Sequence, residues 1–266
     1  MEKPVVLSEM TWPEAKARLP KVKLAILPIG SFEQHGPHLS FETDSVIATE
    51  LARRLAAQHF PRILVGPALP VGLSNHHMHF PGTATLSAAA FTAVLADTVR
   101  AFSAHGIPRF LLLNGHGGNR GALSVLCTEL RYREGISAAV CTWFELVRDV
   151  IQKFIPRRRV HADEIEASMG LFLAPRIVRQ GALARGQEHP DPHPFTDPGS
   201  GGGVEVPYFW EELTPSGAYG DARRASAAIG EALTAAFLER AGAFVESFMG
   251  LSPARARPGR RTAPRR

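Results

Sequence analysis

The stretch GSFEQHGPHLSFETDSVIA, residues 30–48, sets two histidines and three acidic residues directly after the apolar run LAILPI. A metal site accounts for that crowding. Glu33 and His35 are two residues apart, and in an extended segment side chains i and i+2 point the same way, so the pair offers one carboxylate and one imidazole to a common space. Asp44 follows where a helix is expected to begin, and the positive end of the helix dipole favours its ionised form. Both its oxygens are then available to bridge two ions. His116 arrives from a separate segment, NGHGGN (114–119), whose glycines permit a tight turn and leave room beside the backbone for a substrate or a metal. Taken alone, GHGGN would equally suit an anion at the N-terminus of the following helix. The only cysteines, Cys127 and Cys141, form no CxxC pair, so a thiolate cluster or disulfide framework has no basis. Any metal must be held by histidine and carboxylate.

A third region, HADEIEAS (161–168), places His161 just before a helix that contains Glu164 and Glu166. Helical spacing puts Glu164 on the face of His161, whereas Glu166 shares it only if His161 lies outside the first turn. Spacing leaves that choice open. His38 is expected to orient a ligand or the loop rather than to bind metal. His77 and His79 divide evenly between pocket lining and loop structure, Glu42 reads as a surface acid, and Trp143 as core or pocket wall. His59, His105, His189 and His193 read as surface or loop residues.

These residues need elements to position them. KLAILPIG (23–30), RILVGPALP (62–70), RFLLLNG (109–115) and ISAAVCTW (136–143) read as strands. Helices are expected near 45–58, 88–105, 119–134, 162–173 and 221–248, from apolar residues that recur at helical period. Strand and helix in alternation predict an α/β fold, a three-layer α/β/α arrangement around a mostly parallel sheet. In such sheets ligands bind beyond the carboxyl ends of the strands, where both His-rich motifs fall. Residues 185–207, rich in Pro, Gly and Asp, read as a long functional or mobile loop.

A chain of 266 residues suits one large domain, expected over residues 1–250. Six arginines and no acid sit in the last 16 residues, LSPARARPGRRTAPRR, so of the net charge of +5 the first 250 residues carry −1. That tail, 251–266, is expected to be a basic disordered extension, with docking on RNA or another acidic partner the less favoured reading. No apolar run approaches the roughly 18 residues of a membrane span, and the N-terminus lacks the regions of a signal peptide, so a cytoplasmic protein is expected.

PIGSFEQHGPHLSFETDSVIA, HFPGTATL, LLLNGHGGNRGAL and HADEIEASMGLFLAP, in this order and across roughly residues 20–250, resemble the creatininase (creatinine amidohydrolase) family. The resemblance implies an α/β/α domain, two divalent metal ions (zinc, with manganese or iron as alternatives), cleavage of a C–N bond, and commonly a hexamer. It matches Glu33, Asp44 and His116 to the ligands of one metal, and His35 with bridging Asp44 to the other. His161 matches a catalytic histidine and Glu166 the family's acidic residue.

Two divalent ions about 3.5–4 Å apart would activate water and polarise the carbonyl under attack. His161 would then protonate the leaving nitrogen, and Glu166 would take the proton from the attacking water. The chain departs from creatininase proper in one ligand: the carboxylate two residues after the motif histidine is here Gly118. That opens a gap at the second metal, to be filled by Glu166 or water. It also argues against creatinine and for another amide, a cyclic amide, a formamide or a short peptide. His76 stands where many relatives carry an acid. Two alternatives remain: a non-catalytic, metal-containing assembly or binding protein of the same fold, and a hydrolase that cleaves a C–C bond of a keto-cyclitol.

Overall fold

The computed structural model describes residues 4–155, 161–189, 204 and 206–251. Four strands, β1 (Leu24–Ile29), β2 (Ile63–Val65), β3 (Arg109–Asn114) and β4 (Ser137–Thr142), form one parallel sheet in the order β2-β1-β3-β4. Its register aligns Ile26 with Val65 on one side and with Leu111 on the other, and Leu111 with Ala139. Parallel neighbours need crossovers, and the helices supply them. Helices α2 (Thr43–Gln58), α3 (Ala88–Ala104) and α4 (Arg120–Glu134) link the strands in turn.

Alternation along each strand divides the core into two layers. Leu24 and Ile26 of β1 and Leu111 and Leu113 of β3 pack with Ile47, Leu51 and Leu55 of α2. Ala25, Leu27 and Ile29, with Phe110 and Leu112, face Phe91, Leu95 and Val99 of α3 and Leu123 and Leu130 of α4. Residues of opposite parity meet opposite faces, as the two-residue repeat of a strand requires. The first layer is completed by α7 (Glu164–Leu173) and α9 (Ala227–Gly250), which place Met169, Leu233 and Phe237 against it. The expected α/β/α architecture is thus observed.

Element boundaries differ where side chains cap the backbone. The last helix begins at Ala227 rather than near 221, because the Ser226 side chain accepts the Ile229 N–H while Ala222–Arg224 close a single tight turn. Similarly, α7 begins at Glu164, with the Asp163 carboxylate accepting the N–H groups of Ile165 and Glu166. Two segments that carried no helical expectation are helical, α5 (Trp143–Leu146) with α6 (Arg148–Phe154) and the short α8 (Trp210–Leu213). Near the N-terminus, α1 (Trp12–Arg18) starts from a capping box in which Thr11 and Glu14 pair, a local device outside the hydrophobic pattern. The proposed basic tail 252–266, residues 156–160, His193 and most of the loop 190–205 lie outside the described residues. Among the described residues no helix is long and apolar enough to cross a membrane.

Phe237 is fully buried between α9 and the sheet layer. Phe237→Ala should lower the unfolding free energy by about 3–5 kcal/mol, seen as a lower urea midpoint at unchanged slope.

Candidate metal centre

The chain leaves β1 for β2 on one side of the sheet and later returns to β3 on the other side. Loops at the ends of β1 and β3 therefore diverge, and the crevice between them is where open α/β sheets bind ligands. Hydrogen bonds tie the two loops together. Gly115 N–H donates to Ile29 O at 2.7 Å. The Asn119 amide donates to Gly30 O at 3.0 Å and accepts from Leu73 N–H at 2.9 Å, joining a third loop to the first two. A Cβ on Gly115 would lie 2.4 Å from Asp44 O, so only glycine lets this loop rest on the first turn of α2.

Within that crevice the expected ligands converge. His116 Nδ1 lies 3.2 Å from both Glu33 Oε1 and Asp44 Oδ2, and His35 Nε2 lies 3.2 Å from Asp44 Oδ1. Asp44 thus directs one oxygen to each histidine. Glu33, His35, Asp44 and His116 are all buried. The second nitrogen of each ring is committed to a carbonyl: His35 Nδ1 to Glu33 O at 3.1 Å, His116 Nε2 to Leu73 O at 3.2 Å. A carbonyl only accepts, so in the neutral tautomers those nitrogens carry the protons and the nitrogens facing the carboxylates are free to bind a cation. Glu33 Oε1 and Asp44 Oδ2 accordingly have no hydrogen-bond donor despite their burial. Imidazole nitrogens opposed to buried carboxylate oxygens at 3.2 Å fit a divalent cation between them.

The electrostatics point the same way. Burial disfavours a charged His35, yet the carboxylates of Asp44, Glu166 and Glu33 raise it to about 10. Burial likewise opposes a charged His116, and Glu33 and Asp44 push it well above the ordinary histidine value. Glu33 resists its own burial because His116, His77 and His161 hold its carboxyl well below the usual range. The buried carboxylates call for positive charge between these groups, either as a second proton on His35 and His116 or as a bound cation.

The third region closes the crevice. His161 N–H and C=O pair with the backbone of Tyr219, and the His161 ring stacks against His35 with centroids 4.4 Å apart. Its Nε2 sits 2.9 Å from Gln34 O, which makes that nitrogen the donor, and its Nδ1 lies 3.8 Å from Glu33 Oε1. Burial and the neighbouring His35 and His77 keep His161 neutral, well below its ordinary pKa. Glu166 Oε2 accepts Ala162 N–H at 2.6 Å and approaches His35 Nε2 to 3.8 Å. Burial raises Glu166 to about 7, with Asp44 adding to the rise and His35 opposing it. Glu164 turns elsewhere, its carboxylate accepting Asp221 N–H at 2.8 Å, so the structure brings Glu166 and not Glu164 to the crevice.

His38 spans to Ala162 O at 2.7 Å and ties the first motif to the third. His77 belongs to the site, with Nε2 3.4 Å from Glu33 Oε1 and Nδ1 2.9 Å from the Gln34 amide. Burial drives His77 down to about 3. His79 instead pairs with Glu211 at the surface, as Glu42 pairs with Arg176 and His59 with Glu246. Trp143 is a core residue whose edge borders the cavity.

Three participants lacked a local signal. Gln34 donates its amide N–H groups to His77 Nδ1 and Gly217 O and accepts from His161 Nε2 on its backbone carbonyl, although alternation from Glu33 and His35 would turn its side chain away. Ser74 donates to Glu33 Oε2. Trp210 packs against His77 and His161 with centroids 5.0 Å from each, across more than 40 residues of chain. Trp210 lines, with Glu33, Asp44, His77, His116, His161 and Glu166, a cavity of about 450 Å³ that Arg120 and Arg148 also border. That volume suits a small molecule or the end of a short peptide.

The sequence profile of the creatininase family, described as creatinine amidohydrolase, matches residues 8–245. Among characterised relatives, the mycofactocin precursor peptide peptidase of Mycobacterium tuberculosis (strain H37Rv) is 34% identical over 222 residues, covering 80% of this chain and 81% of its own. The creatinine amidohydrolase of Pseudomonas putida is 32% identical over 209 residues, covering 71% and 78%. A crystal structure of creatinine amidohydrolase superposes with a TM-score of 0.78 at 27% identity, covering 94% of this chain and 100% of that one. Other solved creatininases of this fold include a manganese form and a Zn–Zn form, with TM-scores of 0.72 and 0.75 at 26% and 27% identity. On this match across nearly its whole length, the chain belongs to the creatininase family of amidohydrolases.

Proposed function

We propose that this protein is a two-metal amidohydrolase that cleaves a C–N bond in an amide, cyclic amide, formamide or short peptide. The observation that carries the reading is the convergence of the His35 and His116 imidazole nitrogens on buried oxygens of Glu33 and Asp44. Glu33, Asp44 and His116 would hold one ion, and His35 with the other Asp44 oxygen would contribute to the second. Zinc is the first candidate from the histidine and carboxylate donors, with manganese or iron as alternatives. Bound together, two such ions supply ionised water near neutral pH and polarise the carbonyl under attack.

The protein's own groups do the rest. Because Nε2 of His161 donates to Gln34 O, its free lone pair is on Nδ1, which faces the metal-binding carboxylates. That nitrogen takes a proton from the attacking water and returns it to the amide nitrogen as the C–N bond breaks. The nitrogen then leaves as a neutral amine. A separate proton acceptor is not required by this sequence of transfers, so the expectation that Glu166 performs it is set aside. The indole of Trp210, laid against His77 and His161, shields the reacting centre from bulk water.

The alternative of a non-catalytic metal protein is not favoured: a structural site is closed by its ligands, whereas this one opens into a cavity large enough for a substrate. Neutral creatinine is also disfavoured by Gly118, and the peptidase likeness directs the substrate search to peptides and other acyclic amides. Family likeness further suggests a homo-oligomer in the cytoplasm.

Asp44→Asn should remove both ions and abolish amide hydrolysis, as measured by elemental analysis alongside a screen of amides and short peptides. Loss of a single ion would contradict the bridging role. His161→Asn should retain the metals while lowering kcat by about 10²- to 10⁴-fold; a variant that loses its metal instead would place His161 among the ligands.

A further inference from the structure

The cavity has a second charged region besides the metal-binding groups. Arg120, the first residue of α4, and Arg148, the first residue of α6, both border it. Their guanidinium groups close on a single oxygen: Arg120 Nη1 lies 3.3 Å from Glu145 Oε1, and Arg148 Nη2 donates to the same atom. One carboxylate therefore answers two cations, and the trio carries one positive charge in excess. The arginine side chains are 56% and 54% exposed and that of Glu145 only 26%, so the guanidinium forks are the part that a ligand entering the mouth would meet. Each fork has several N–H donors, most of which Glu145 leaves free to serve a ligand.

The backbone adds to the same attraction. Gly117 and Gly118 line the cavity and lead into α4, a helix of 15 residues whose dipole is positive at that end. The cavity wall also includes Trp143 and Phe144, which precede Glu145 in the chain, and Ile165, which precedes Glu166. Apolar surface therefore adjoins both charged regions. A ligand that fits all of this has a polar bond for the metal-binding groups, an apolar portion, and negative charge for the arginines.

We infer that the substrate is an amide that also bears an anionic group, a carboxylate or a phosphate, held by Arg120 and Arg148 while its C–N bond lies at the metal centre. The inference rests on the amidohydrolase reading for the bond that is cut, and on the arginines alone for the anion. Glu145 already shows that both forks can share one carboxylate oxygen. It also competes with the substrate for them, so removing its charge should tighten binding of an anion. Arginines that only fastened α4 to α5 would behave in the opposite way, because loss of Glu145 would release them.

The test is binding rather than turnover, by titration calorimetry on the full chain, both metal-free and zinc-loaded. The probes are N-acetylphenylalanine, which joins an amide, an apolar ring and a carboxylate, its neutral carboxamide, and phenyl phosphate. Wild type should bind the acid about 10-fold more tightly than the carboxamide, as a charge-assisted pair allows. That preference should fall to about twofold or less when Arg120→Gln and Arg148→Gln are combined, and should widen in Glu145→Gln. Tighter binding of phenyl phosphate than of the acid would name a phosphate ester as the source of the anion, and the reverse order a carboxylate. A preference that survives in the double arginine variant or fails to widen in Glu145→Gln would overturn the inference. So would the absence of binding by either anion at about 10 mM. Anion preference in a protein that hydrolyses no amide when zinc-loaded would instead refute the amidohydrolase reading and leave the anion site standing.

Discussion

The site depends on one electrostatic constraint: buried carboxylate oxygens face imidazole nitrogens across short gaps that call for positive charge. His35 and His116 each spend their proton on a backbone carbonyl, Glu33 O and Leu73 O respectively. What remains between them and the oxygens of Glu33 and Asp44 is a space that only positive charge can occupy at low cost. Asp44 sits at its centre because it belongs to the first turn of α2 and offers one oxygen to each side. Much of the surrounding structure serves to keep these groups opposed when nothing neutral would hold them there.

That service is carried by amides and backbone rather than by further charges. Asn119 joins the loops after β1 and β3 to the 72–77 segment, and the Gln34 amide joins His77 to Gly217 O. Neutral amides can be buried when each of their groups is paired, so they fix geometry without altering the charge balance that the metals must satisfy. Trp210 and the ring of His77 add an apolar wall on the open side. The result is a rigid floor at the end of the sheet and a cavity above it, with Arg120 and Arg148 at the rim beside Glu145.

Much of this was legible in the residue order because it is local. The apolar runs of β1 and β3 and the helical repeats of α2, α3 and α4 announce their elements within windows of a few turns, and the observed limits fall within about two residues of expectation. Glu33, His35 and Asp44 are likewise one segment with a defined direction. Less was legible where the signal is a single side chain. Ser226 sets the start of α9 by accepting one N–H, and the Thr11–Glu14 box starts α1. Neither leaves a mark on hydrophobic periodicity.

Taken by itself, the sequence determined the donor types, the absence of thiolate ligands, the parallel α/β layering and the two motifs that end beside each other at the strand ends. It also held the motifs whose resemblance placed the chain in its family. Only the tertiary structure decided between Glu164 and Glu166, brought Gln34, His77 and Trp210 to the crevice, and set Arg120 and Arg148 on one oxygen of Glu145. The physical reason is that spacing dictates direction only within one element. Which groups meet across elements follows from the strand order β2-β1-β3-β4 and the crossovers that return α7 and α8 to the mouth of the sheet.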